Sequence, residues 1–164
     1  MRVLLAVLLL LVSGPLGAEE PTEGERREAQ GACRELQVRY ALHRDAGELE
    51  AWLDLFTEDA VMSLAGRESR GRDALRAAAA QRMTGEALRH VVSNQSVEVE
   101  SVDRARGRSY ATVIGADAGV PAIRAVVEYW DRYQRTPRGW RIAERRTEIV
   151  FAAVPPPAPP EGGP

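Results

Sequence analysis

Apolar residues recur along this chain with two periods, and the change falls near Leu88. Over residues 23–44, Cys33, Leu36, Tyr40 and His43 keep the three-to-four spacing of one helical face, with charged residues filling much of the remainder. Gly47 interrupts the pattern. Residues 48–55 then predict a short second helix whose apolar side carries Leu49, Trp52, Leu53 and Phe56. Residues 60–64 predict a short strand ended by Gly66, and alanine-rich residues 73–83 predict a third helix stopping near Gly85. Beyond Leu88 the period is two, with Val97 and Val99 alternating against Glu98 and Glu100. Further strands are predicted over residues 108–114, 123–135 and 140–150. Gly107, Gly115, Gly119-Val120-Pro121 and Pro137-Arg138-Gly139 serve as the turns between them. Helices first and long strands second predict an α+β domain, with helices packed on one face of a curved antiparallel sheet.

The two ends do not follow either period. Residues 1–18 read as a signal peptide: Arg2, an apolar run over residues 3–12, a break at Ser13-Gly14-Pro15, and the small pair Gly17-Ala18. The apolar run is far shorter than the roughly 20 residues that span a bilayer. An exported chain, periplasmic or secreted, is therefore expected, with no stable membrane insertion after cleavage; an uncleaved anchor is the alternative. Residues 155–164 are proline-rich, cannot donate to a sheet ladder, and are expected to form a disordered tail. Residues 19–154 remain as one domain, long enough to bury about two-thirds of its unfolded surface.

Composition narrows the partners. All 22 basic residues are arginine, set against 24 acidic residues, and the two signs are interleaved. No basic block marks a nucleic-acid partner. The single cysteine, Cys33, excludes an intrachain disulfide and a cysteine-built zinc site. No phosphate-binding glycine loop and no nucleophile elbow is present, so no cofactor is expected.

Four segments carry a resemblance. The first is Tyr40-Ala41-Leu42-His43-Arg44-Asp45 with Gly47, followed by Trp52-Leu53-Asp54-Leu55-Phe56-Thr57-Glu58-Asp59-Ala60-Val61. The second runs from Gly66 to Gly71-Arg72, and the third is Arg89-His90-Val91-Val92-Ser93-Asn94. The fourth joins Tyr129-Trp130-Asp131-Arg132-Tyr133 and Arg135-Thr136 to Gly139-Trp140-Arg141-Ile142-Ala143-Glu144-Arg145. In this order they resemble the SnoaL-like branch of the nuclear transport factor 2-like superfamily. The resemblance implies a cone, in which a bent sheet wraps three helices around a pocket for a small, largely apolar molecule. It also implies a homodimer through the outer sheet face.

In the scytalone and bile-acid dehydratase type of this branch, a tyrosine and an aspartate from the first helix meet a histidine from the following sheet. Tyr40, Asp45 and His90 match those positions, so the resemblance implies His90 as base, Asp45 orienting it and Tyr40 as hydrogen-bond donor. Such a trio suits cofactor-independent dehydration or isomerisation. The ligand-binding residues expected around it are Trp52, Phe56, Val92, Asn94, Tyr110 and Thr112. The residues alone leave other roles open. Asp45 could cap the second helix, His90 could be a core histidine, and Tyr40 an ordinary aromatic of the helix face. The second ionisable residue of the dehydratases would fall in Tyr110-Ala111-Thr112-Val113-Ile114, which offers only Tyr110 and Thr112. Leu64 stands where ketosteroid isomerases keep their base. Arg44 replaces an apolar residue of the family and has no role from sequence. A non-catalytic binding or dimerisation module is the competing expectation.

Overall fold

The computed structural model describes residues 20–83, 87–117 and 119–153, so the signal-peptide and tail readings lie outside the described residues. Helix α1 (Glu23–Ala46) begins in a capping box: Thr22 Oγ1 accepts from the Glu25 N–H, and Glu25 accepts from the Thr22 N–H at 2.9 Å. It stops at Gly47, whose φ of 70° is a left-handed conformation that glycine adopts without strain. The Glu48 N–H then closes on the His43 carbonyl at 2.9 Å. This stop leaves Asp45 in the last turn, beside the sheet.

Helix α2 (Leu49–Leu53) is shorter than the pattern predicts, because Phe56 already belongs to strand β1 (Phe56–Leu64). Ala65 and Gly66, both at positive φ, turn β1 into a short partner strand, β2 (Arg67–Arg70). Helix α3 (Arg72–Ala80) follows, then β3 (Arg89–Val99), β4 (Arg104–Asp117), β5 (Val120–Thr136) and β6 (Gly139–Ala152). The strand order is β2-β1-β6-β5-β4-β3.

Two details differ from the sequence pattern. The β1–β6 pairing is parallel, whereas every other pairing is antiparallel. An alternation of period two fixes which face a residue takes but carries no strand direction, so this pairing has no local signature. Gly107 and Gly115, taken as turns, lie inside β4. A Cβ on Gly107 would come within 2.9 Å of the Tyr133 ring, so this glycine makes room for a core aromatic and does not end the strand.

The sheet's inner face and the buried side of α1 enclose a core that is not wholly apolar. Arg145 and Asp131, register partners on β6 and β5, are both 0% exposed. Arg145 Nε and Nη2 donate to the two Asp131 oxygens, each at 2.7 Å, and the Tyr133 hydroxyl donates to Asp131 Oδ2 at 2.7 Å. The guanidinium lies between the rings of Tyr40 and Tyr129, at 4.0 and 4.2 Å from their centroids. Burial alone would lower the arginine pKa, but Asp131 overrides it and holds the guanidinium charged.

A buried pair of this kind leaves an uncompensated charge when one partner is removed. Arg145→Met or Asp131→Asn alone should therefore lose about 3–5 kcal/mol of unfolding free energy in urea. The double replacement should lose less than either single change. A double mutant that loses the sum of the two would show that the ion pair does not couple them.

Candidate active site

Asp45 and His90 are brought together by the end of α1 and the start of β3. Along the inner face, His90 registers with Val113, and Val92 with Ala111, Val127 and Ile149 in turn. On the opposite face Val91 registers with Thr112, Val126 and Phe151. His90 therefore points inward, under the last turn of α1.

Its geometry is well defined. The His90 backbone N–H donates to Asp45 Oδ2 at 2.8 Å, and its ring Nδ1 lies 2.5 Å from Asp45 Oδ1. Both carboxylate oxygens are spent on one residue, so Asp45 does not cap α2, which begins without a side-chain cap. The other ring nitrogen, Nε2, accepts from Arg44 Nε–H at 3.2 Å. A guanidinium can only donate, so this network assigns the proton to Nδ1 and leaves the lone pair on Nε2. The imidazole is 5% exposed and the Asp45 side chain 11%. Burial pushes the His90 pKa below its usual 6.5; the bond to Asp45 opposes that shift, and the Arg44 cation adds to it. The result is a neutral, oriented histidine at pH 7.

His90 borders a cavity of about 180 Å³. Its apolar wall includes Met62, Leu88, Val113, Val127 and Ile149, while Tyr40, Tyr129, Arg44 and Arg82 supply the polar groups. Tyr40 lines this cavity with His90, and among the described residues its hydroxyl's one hydrogen-bond partner is the Met62 sulfur, at 4.0 Å. The Tyr129 hydroxyl bonds to none of the described residues, and burial raises its pKa. A second hollow of about 330 Å³ adjoins the first through Arg44, Arg82, Leu88 and His90. Among the described residues, no three His, Cys, Asp or Glu side chains converge as a metal site would require.

Of the residues expected to bind a ligand, none lines the 180 Å³ cavity. Trp52 and Phe56 are fully buried beneath it, packed on Tyr40 with centroids 5.5 and 6.1 Å away. Val92 faces inward and packs on the core. Asn94 sits exposed at a bulge in β3 with φ 51°, which breaks the parity it would have shared with His90. Tyr110 and Thr112 share the outer face with Arg108 and Val91, because β4 turns Ser109, Ala111 and Val113 inward. His43 bonds to Glu48 at 2.6 Å and takes no part in the cavity. Arg44, Arg82 and Tyr129 were missed; only the misfit of Arg44 in an apolar family position signalled any of them.

The SnoaL-like domain family matches residues 25–146. A protein of unknown function from Mycobacterium tuberculosis has a similar solved structure, 35% identical, covering 71% of this chain and 73% of its own, with a TM-score of 0.67. A scytalone dehydratase-like protein from Novosphingobium aromaticivorans is 20% identical, over 80% of this chain and 91% of its own, with a TM-score of 0.72. The hexachlorocyclohexane dehydrochlorinase LinA-type3 from Novosphingobium barchaimii is 14% identical, over 80% and 93%, with a TM-score of 0.71. These last two share the fold. No curated protein matches the sequence.

Nitrogen-15 NMR at pH 7 should show His90 Nδ1 protonated and Nε2 bare, with a titration midpoint below 6.5. Because that pKa is lowered on folding, the unfolded chain takes up the proton first. The site's stabilising contribution is then complete above pH 6.5 and is lost as pH falls through the folded midpoint. A midpoint above 6.5, or a protonated Nε2, would contradict the assigned network.

Proposed function

This chain belongs to the SnoaL-like domain family, and on that premise we propose that it is a cofactor-independent acid–base enzyme, eliminating or isomerising a small, largely apolar substrate. The observation that carries this reading is the Asp45–His90 pair, at 2.5 Å and bordering an apolar cavity. Nε2 is the base, and it takes a proton from a carbon next to a carbonyl. Asp45 keeps the proton of the resting ring on Nδ1 and steadies the imidazolium as it forms, as the carboxylate does in other His–Asp pairs. Tyr40 and Tyr129, both lining the cavity, are placed to donate to the enolate oxygen or to the leaving group. The dehydratase-like and dehydrochlorinase structures carry names of elimination chemistry, but at 20% and 14% identity they share the fold alone, so the reading rests on the Asp45–His90 pair.

Size limits the substrate. An apolar cavity of about 150 Å³ admits benzene, so about 180 Å³ suits a single ring with small substituents. A binding module is the second reading, and one observation favours it: Arg44 occupies the lone pair that a base must keep free.

Hydrogen–deuterium exchange at the α-carbon of small ring ketones, both neutral cyclohexanone and the anion 3-oxocyclohexanecarboxylate, followed by NMR in heavy water, separates the two. The enzyme should catalyse exchange, and His90→Ala and Asp45→Asn should each slow it by about 10²–10⁴. Equal exchange with all three proteins would leave the binding module.

We also propose that the mature chain is exported and pairs with a second copy through the outer sheet face. Val91, Thr112, Val126 and Phe151 form a row across four strands of that face, with Val91 and Phe151 more than half exposed. Light scattering should give a dimer for residues 19–154 and a monomer for Phe151→Arg. An unchanged mass would place any contact elsewhere.

A further inference from the structure

The polar end of the cavity is unbalanced in charge. Arg44 and Arg82 line both hollows, and Arg89 joins them in the outer one. Among the described residues, the inner cavity is lined by no carboxylate and the outer one only by Asp45, whose two oxygens are already taken by His90. Among the described residues, Arg44 and Arg82 meet no acidic side chain. Elsewhere Arg72 pairs with Asp54, Arg106 with Glu98 and Arg145 with Asp131; Arg34, Arg39, Arg67 and Arg104 also lack an acidic partner among the described residues, but none of them lines either hollow. A local excess of guanidinium beside an apolar cavity, in a protein with net charge −2, is a site without its counter-ion.

Resting on the acid–base reading above, we propose that the substrate is a carboxylate anion on a small apolar ring, and that its carboxylate draws Arg44 off His90 Nε2. Arg44 is thereby a specificity-determining residue, and the base is uncovered only when a charged substrate is present. A guanidinium binds a carboxylate through two parallel N–H···O bonds, which outcompete its single 3.2 Å bond to an imidazole. The apolar body then occupies the cavity beneath, with the carboxylate at the mouth between Arg44 and Arg82. Neutralising Arg44 also removes the cation that disfavours the imidazolium. The charged and titratable groups around the ring are Asp45 and Arg44 from α1, Arg82 after α3, Arg89 on β3, and the cavity tyrosines 40 and 129. Of these, Arg44 alone touches Nε2.

Benzoate and benzamide are matched probes, of one shape and different charge. Calorimetry should show benzoate binding at least tenfold more tightly than benzamide, and Arg44→Met should abolish the difference. On benzoate binding, the NMR midpoint of His90 should rise in the parent protein and stay unmoved in Arg44→Met. Arg82→Gln, at a position away from the imidazole, should weaken benzoate several-fold and keep the preference for charge. Equal binding of the two probes, no benzoate binding, or benzoate binding unaffected by Arg44→Met would each overturn the proposal. Failure of the acid–base reading has a different signature: charge-selective binding through Arg44 with no α-carbon exchange even in 3-oxocyclohexanecarboxylate.

Discussion

The buried Arg145–Asp131 pair is the constraint on which the rest of this structure depends. Two charges withdrawn from water are tolerable only if their geometry is nearly ideal. Here that geometry needs β5 and β6 in one register, with Asp131 opposite Arg145. It also needs aromatic rings on both sides of the guanidinium, which Tyr129 supplies from the sheet and Tyr40 from α1. Seating Tyr40 on Arg145 sets where α1 crosses the sheet. That crossing in turn delivers Asp45, in the last turn of the same helix, to His90. A core ion pair and the site are thus two stations along one helix.

The two charge clusters are handled differently. Arg145 is matched bidentately by Asp131 and stays charged. His90 is matched by Asp45 at Nδ1 and opposed by Arg44 at Nε2, so burial prevails and the ring is neutral. The first arrangement is static. The second leaves the Nε2 lone pair of a neutral ring facing a single guanidinium N–H, the arrangement on which the proposed acid–base role rests. On the outer face, Arg108 pairs with Glu128 and Arg146 with Glu148, with Trp130 packed against both guanidinium groups. At the cavity mouth, Arg44 and Arg82 have no acidic partner among the described residues.

Fold membership does not choose among the functions of this architecture. The scytalone dehydratase-like protein and LinA-type3 share the fold at 20% and 14% identity, which speaks to the backbone alone. What distinguishes this chain is local: Arg44 on His90 Nε2, Arg82 lining the same cavity, and a volume of about 180 Å³.

Much of the architecture was legible from residue patterns. The three helices, the switch to period two beyond Leu88 and the hairpin at Pro137-Arg138-Gly139 follow from local preferences, which need no partner to act. Alternation within a strand fixes which residues share a face but not which face is inner, so the inward turn of His90 was decided by strand pairing. Expected ligand contacts were displaced by tertiary contacts. The bulge at Asn94 moved that residue out, and the phase of β4, set by its pairing with β3 and β5, put Tyr110 and Thr112 on the outer face. Trp52 and Phe56 read as ligand contacts because they are large and apolar, and those properties serve a core equally well. Arg44, Arg82 and Tyr129 come from three distant stretches of chain. Their convergence depends on how α1 and α3 pack around the sheet, and spacing along a sequence holds no record of distances between elements. Sequence by itself determined the elements, and the Asp45–His90 pairing was only implied by resemblance; tertiary packing decided that the two meet and what surrounds them, because electrostatic environment is a property of space and not of order along the chain.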